Sequence, residues 1–171
     1  MVKPLYFTFP AALMVASIAC AQSNQEVMHS FKTPLGILKE VGDIIRPNVH
    51  GEIYLTLNYK LLLRGKNAEG GSVSLMFQDC QTLDSAKNGN LYQRMLYREV
   101  FAAGGSVGWE KYYVIDLTGK EPVVSPGFDN GDLTYVQKTV WKKNDITVYF
   151  KDKGKVFSWQ NFQLKEIPRT K

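Results

Sequence analysis

From Trp109 to Leu164 the chain alternates apolar and polar residues in short runs parted by turn-forming clusters, and this stretch holds all three tryptophans. A period of two marks a strand with one face on a core. Trp109, Lys111, Tyr113, Ile115 and Leu117 fall on one side of such a ribbon, with Glu110, Tyr112, Val114 and Asp116 on the other. Leu117-Thr118-Gly119-Lys120 then supplies a glycine able to take a positive φ, and Pro122 and Pro126 remove backbone donors, so the chain turns. Leu133 to Trp141 and Ile146 to Phe150, rich in Val, Thr, Tyr and Trp, read as a hairpin across Lys142-Lys143-Asn144-Asp145. A second hairpin leads through Lys151 to Lys155 into Val156 to Trp159, with Gly154 suited to a left-handed loop position. Ile115, Val148 and Phe150 are expected core residues.

Upstream, Glu52 to Arg64 reads as one strand, with Ile53, Leu55, Leu57 and Tyr59 against Tyr54, Thr56 and Asn58. Lys66 to Gly71 is a turn into Ser72 to Gln78, whose Val73, Leu75 and Phe77 share a face, and the two strands are expected to pair. Asp79 to Asn90 carries no period and reads as a loop. Leu91 to Phe101 fits both a helical stripe and a strand; the strand is preferred because Gly104-Gly105 turns directly toward Trp109. Thr33-Pro34 has the form of an N-cap with proline at the first helical position. Leu35, Leu38, Val41, Ile44 and Ile45 then recur at helical spacing before Pro47, which predicts a helix from Pro34 to Ile45. The expected fold is therefore mainly β (α+β), an antiparallel sandwich or barrel-like meander of about seven strands with one N-terminal helix.

Lys3 followed by an apolar run from Leu5 to Ala19 and small residues has the three-part form of a secretory leader over residues 1–21. Cleavage after Ala21 fits Ala19-Cys20-Ala21. Ser17-Ile18-Ala19-Cys20 resembles a bacterial lipobox apart from Ser17, which makes Cys20 a candidate lipidation site. The expected location is periplasmic or secreted, with an outer-membrane lipoprotein as the second route and Cys20 as the sole membrane attachment. Residues 22–33 read as a mobile tether and 34–171 as one β-rich domain. About 150 residues beyond the leader suffice to bury a single core. Cys80 is left without an intrachain partner, so no disulfide staples the fold, and a free cysteine of this kind serves either as a reactive thiol or as a small buried side chain.

The formal net charge of +5 bears on solubility rather than fold, and an export leader argues against nucleic acid as a target. His29 and His50 are the only imidazoles, and neither stands in a metal-ligand or catalytic spacing. Gly104-Gly105-Ser106-Val107-Gly108 has the letters of G-x-S-x-G but is read as a turn between two strands, not a strand-to-helix elbow, and no phosphate-cradling loop is read, so no catalytic residue, cofactor or metal is assigned. Asp129-Asn130-Gly131-Asp132 lacks the later Glu of a calcium loop and reads as a tight turn. What remains is basic and aromatic: Trp141, Lys142 and Lys143 at one hairpin end, and Lys151, Lys153, Lys155 and Trp159 around the next. These are the candidate partner-binding residues, since Trp is enriched at binding hot spots. The same pattern has a plain structural use, with lysines guarding sheet edges and tryptophans filling a core.

The expected function is that of an exported, non-catalytic protein that binds another protein, as an inhibitor or immunity-type factor against a toxin or lytic enzyme. A β-barrel carrier of a small molecule or lipid is the alternative, distinguished by an internal cavity of several hundred cubic ångström. A hydrolase of unfamiliar type is a third reading, and would need His50 gathered with Asp79 or Asp116.

Overall fold

The computed structural model describes residues 25–46, 49–65, 72–85, 89–103, 106–131, 135–151 and 154–169. The leader with Cys20, the 66–71 turn, Gly104-Gly105, Asp132 and Lys153 lie outside them. Twelve strands form three antiparallel four-stranded sheets. Sheet A takes β1 (Gln25–Thr33), β2 (Gly36–Arg46), β3 (Val49–Leu57) and β4 (Lys60–Arg64) in that order. Sheet B takes β5 (Ser72–Ser85), β6 (Gly89–Ala103), β7 (Ser106–Asp116) and β8 (Val123–Val124). Sheet C takes β9 (Val136–Trp141), β10 (Asp145–Phe150), β11 (Val156–Gln160) and β12 (Gln163–Ile167), also in sequence order.

Sheet B is the middle layer. Its Leu96, Tyr112 and Val114 join Phe128 and the sheet C residues Ile146, Val148, Phe150, Phe157 and Trp159 in one core. Its Leu75, Met95, Tyr97, Ile115 and, just past β7, Leu117 join Leu38, Leu55 and Leu57 of sheet A in the other. Successive side chains on a strand point to opposite faces, so β6 and β7 feed both cores. Ile115, Val148 and Phe150 are all fully buried, as expected, but Ile115 serves the core shared with sheet A and the other two serve the core shared with sheet C. The meander over 136–160 forms with the expected hairpins, and Leu91 to Phe101 is strand, pairing Phe101 with Trp109.

Several expectations are corrected. The predicted helix over 34–45 is β2, and the predicted tether contains β1. Thr33 does bond a nearby N–H, but its Oγ accepts from Leu35 N at 3.2 Å and donates to Gly36 O at 2.8 Å inside the β1–β2 turn, where Gly36 sits at φ 127°. Val41, Ile44 and Ile45 are β-branched, and their strand preference agrees with pairing to β3 on one side and β1 on the other. Glu52 to Arg64 is two strands rather than one, folded back at Asn58 and Tyr59 with φ of 49° and 67°. That is the backbone twist of a two-residue type I′ hairpin, and it puts Tyr59 at 88% exposure rather than on the core face. Consequently β5 pairs with β6, not with the 52–64 segment, and its strand runs through the supposed loop as far as Ser85. Gly119 and Gly154 lie outside the left-handed region; a Cβ on Gly154 would meet the Asn130 side chain, so close approach is what glycine allows there.

Candidate functional site

The expected basic and aromatic residues do not come together. Trp159 is 2% exposed, and its indole N–H donates to Asp116 Oδ2 at 3.1 Å, which makes it a core residue. Trp141 is half-buried and donates to Asp79 Oδ2 at 3.0 Å, tying sheet C to sheet B. Lys142 and Lys143 at one end of β10 and Lys151 and Lys155 at the other are exposed. Lys142 faces Asp145 at 3.7 Å, the Lys143 carbonyl accepts from Arg94, and Lys155 faces Glu166 at 3.6 Å. Such surface pairs contribute at most about 1 kcal/mol each; they leave two separate charged loops rather than one patch.

The carboxylates named for hydrolytic work are engaged in holding the fold. Asp116, 2% exposed, accepts from Arg94 Nε at 2.9 Å, Trp159 Nε1 at 3.1 Å, and the Thr118 hydroxyl and amide at 2.6 and 3.0 Å. Burial alone would raise its pKa, but these donors outweigh burial and hold the carboxyl below its ordinary range. Asp79 bonds Trp141 and the Cys80 amide. Beside it, burial and the Asp79 charge push the Cys80 thiol up, and its side chain packs on the core between sheets A and B, the behaviour of a small apolar residue. Asp129 Oδ1 accepts from Gly131 N at 2.8 Å within a turn. Among the described residues no group of three or more His, Cys, Asp or Glu side chains could hold a metal ion.

The surface that does gather chemistry is the outer face of sheet A. Leu38, Glu40, Leu55 and Leu57 point inward, so Lys39, Val41, Asp43, Tyr54 and Thr56 point out. Between Leu55 and Thr56 the register with β4 shifts by one residue. That bulge lets Leu62 and Leu63 pack inward while Leu61 stays outside at 60% exposure. The result is an open groove of about 590 Å³ whose floor includes Val41 and whose walls carry Val27, Tyr59 and Leu61. Lys39 Nζ stands 4.9 Å over the Tyr59 ring, and Arg64 is ion-paired with Glu52. Tyr54, its pKa raised by burial and by the Asp43 charge, remains a neutral donor in this groove.

Sequence reading missed this surface because a helix assigned to 34–45 scatters Lys39, Val41 and Asp43, whereas a strand lines them up. Comparison of the chain with protein families, curated proteins and solved structures finds no match.

Proposed function

We propose that this is an exported, non-catalytic binding protein that docks on another protein through the outer groove of sheet A, in the manner of an inhibitor or immunity-type factor. The observation that carries the reading is the groove itself: a four-stranded sheet presents Tyr59, Leu61 and Val27 at 88%, 60% and 47% exposure beside Arg64. Tyr and Arg are the side chains most able to anchor a protein interface. Among the described residues, side chains from the facing sheets pack against one another in both inter-sheet cores, which favours surface recognition over carriage of a ligand inside a barrel.

The test uses the purified chain as bait in envelope extract, alongside Val27→Ala/Tyr59→Ala, two exposed truncations that leave the fold intact. A partner recovered by the parent should bind the variant at least tenfold more weakly, as loss of an anchor does, and should lose its own activity when saturated with the parent. Equal binding by the variant would remove the groove from the proposal. Recovery of no protein partner would overturn the function itself.

A further inference from the structure

A second concavity lies where the β3–β4 turn approaches the loop between β7 and β8. Leu35, Leu57, Leu61, Leu62 and Pro122 wall a cleft of about 420 Å³. None of these side chains offers a hydrogen-bonding group. The amide of Asn58, which also reaches the cleft, is engaged: Oδ1 accepts from Ile37 N at 3.1 Å and Nδ2 donates to Leu35 O at 2.8 Å. The remaining polar groups of the lining are the ammoniums of Lys60 and Lys120, both exposed. Among the described residues neither has a carboxylate within ion-pairing distance, whereas Lys142 and Lys155 elsewhere on the surface do.

A sugar or a peptide in this cleft would strand its own polar groups against leucine. A neutral alkyl chain would satisfy the walls and ignore the two cations, and a cationic one would be repelled. We propose that the cleft binds a single-chain anionic amphiphile, a long-chain carboxylate, with the alkyl chain along the leucines and the headgroup between Lys60 and Lys120. Leu35, Leu57 and Leu62 also belong to the core between sheets A and B, so the walls are set by the fold before any ligand arrives.

The experiment titrates the full chain with laurate below its micelle concentration, reading leucine and valine methyl resonances, with dodecanol and dodecyltrimethylammonium as controls. Laurate should bind one per chain and shift the Leu61 and Leu62 methyls, with dodecanol about tenfold weaker, the scale of two exposed charge contacts. Lys60→Gln/Lys120→Gln, which alters only exposed groups, should bring laurate down to dodecanol's affinity. Leu62→Trp should fill the cleft and abolish both; the double lysine variant reads the headgroup even if that bulky side chain unfolds the protein. Equal affinities for laurate and dodecanol in the parent, or shifts at Val27 instead of Leu61 and Leu62, would overturn the site. Binding to phosphatidylglycerol vesicles without any response to monomeric laurate would also overturn it, in favour of a plain membrane contact. These substitutions spare Val27 and Tyr59, so failure here is distinguishable from failure of the protein-binding groove.

Discussion

Buried carboxylates on the two sides of sheet B are not all held equally well. Toward sheet C, Asp116 is surrounded by donors from Arg94, Trp159 and Thr118, and Arg94 in turn reaches Gln81 and the Lys143 carbonyl. Nearby, Arg98 holds Glu110 through two hydrogen bonds of 2.7 and 2.8 Å, and the Tyr112 hydroxyl donates to the same carboxylate. Toward sheet A, Glu40 is nearly as buried, at 4% exposure, yet among the described residues its Oε2 accepts no well-formed hydrogen bond and stands 3.6 Å from His29 Nδ1. The Tyr97 hydroxyl is the other group that faces this carboxylate, near enough to interact with it but, among the described residues, without well-formed hydrogen-bond geometry. Burial pushes the Glu40 carboxyl up despite the neighbouring histidine. One interface holds its carboxylates in a dense network of donors; the other holds the Glu40 carboxylate with weaker partners, and it lies under the sheet that carries both the groove and the cleft.

Removing the centre of the satisfied network should have the largest effect. Asp116→Ala leaves the Arg94 guanidinium and the Trp159 N–H buried without their acceptor, and a broken buried pair of this kind costs roughly 3 to 5 kcal/mol. Urea unfolding measures it, and a loss below about 1 kcal/mol, typical of an exposed pair, would show that water reaches the network. The pH dependence has a defined sign. Because the folded pKa of Asp116 is lowered, its contribution is present above the ordinary aspartate value and is lost as pH falls through the folded value. The parent should therefore lose stability in acid more steeply than the variant.

Apolar truncations come next. Phe150→Ala should cost about 3 to 5 kcal/mol and Ile115→Ala about 2 to 5, one in each core. Since β6 and β7 supply side chains to both cores, either change should shift a single cooperative transition seen alike by tryptophan fluorescence and far-ultraviolet circular dichroism. Two separated transitions would mean that the two interfaces melt independently.

Glu40→Gln should act in the other direction. It removes a buried charge without an adequate partner, so near neutral pH the variant should equal the parent or exceed it by about 1 kcal/mol. A raised folded pKa stabilises the protein below the ordinary glutamate value and loses that stability as pH rises through the folded value. The advantage of the variant should accordingly vanish in acid, where the parent carboxyl is protonated. A loss of several kcal/mol at pH 7 would show that His29 compensates Glu40 after all.

The same asymmetry explains what could be read from the chain. Over 136–160 short runs of β-branched and aromatic residues are parted by polar residues at both turns, so the meander was legible. In β7 both registers are occupied by bulky residues, Tyr112 and Val114 on one face and Ile115 on the other, and a rule built for strands buried on one side misses that both faces face a core. In β2 the apolar positions Leu38, Val41 and Ile44 are three apart, which a helix also satisfies. Glycines at 36 and 42 and the β-branched residues were the counter-signal, and their weight depends on long-range pairing with β1 and β3 that no local window contains. The groove was hidden with β2, and the cleft depends on a turn with no glycine in it.

That turn sets up the smallest and sharpest comparison. Asn58-Tyr59 in sheet A and Asn161-Phe162 in sheet C reverse the chain in the same way, with all four residues at positive φ between 48° and 67°. Such turns favour Asn-Gly, because a bulky residue in the left-handed region costs about 1 to 2 kcal/mol. Substituting glycine relieves that strain but returns roughly 0.5 to 1 kcal/mol as unfolded-chain entropy. For Tyr59, highly exposed, the remaining loss is its contact with Lys39, about 0.5 kcal/mol at a surface site. The terms nearly cancel, so Tyr59→Gly should melt within about a degree or two of the parent. Phe162 is only 49% exposed; its ring meets Trp159 edge-on at 6.5 Å and lies against Gly119. Losing an aromatic pair of that kind adds about 0.5 to 1.5 kcal/mol, so Phe162→Gly should melt several degrees lower than Tyr59→Gly in parallel thermal scans. Equal melting temperatures would mean that the Phe162 ring adds nothing to the core between sheets B and C, and that the two hairpin tips differ only in how far they stand from solvent.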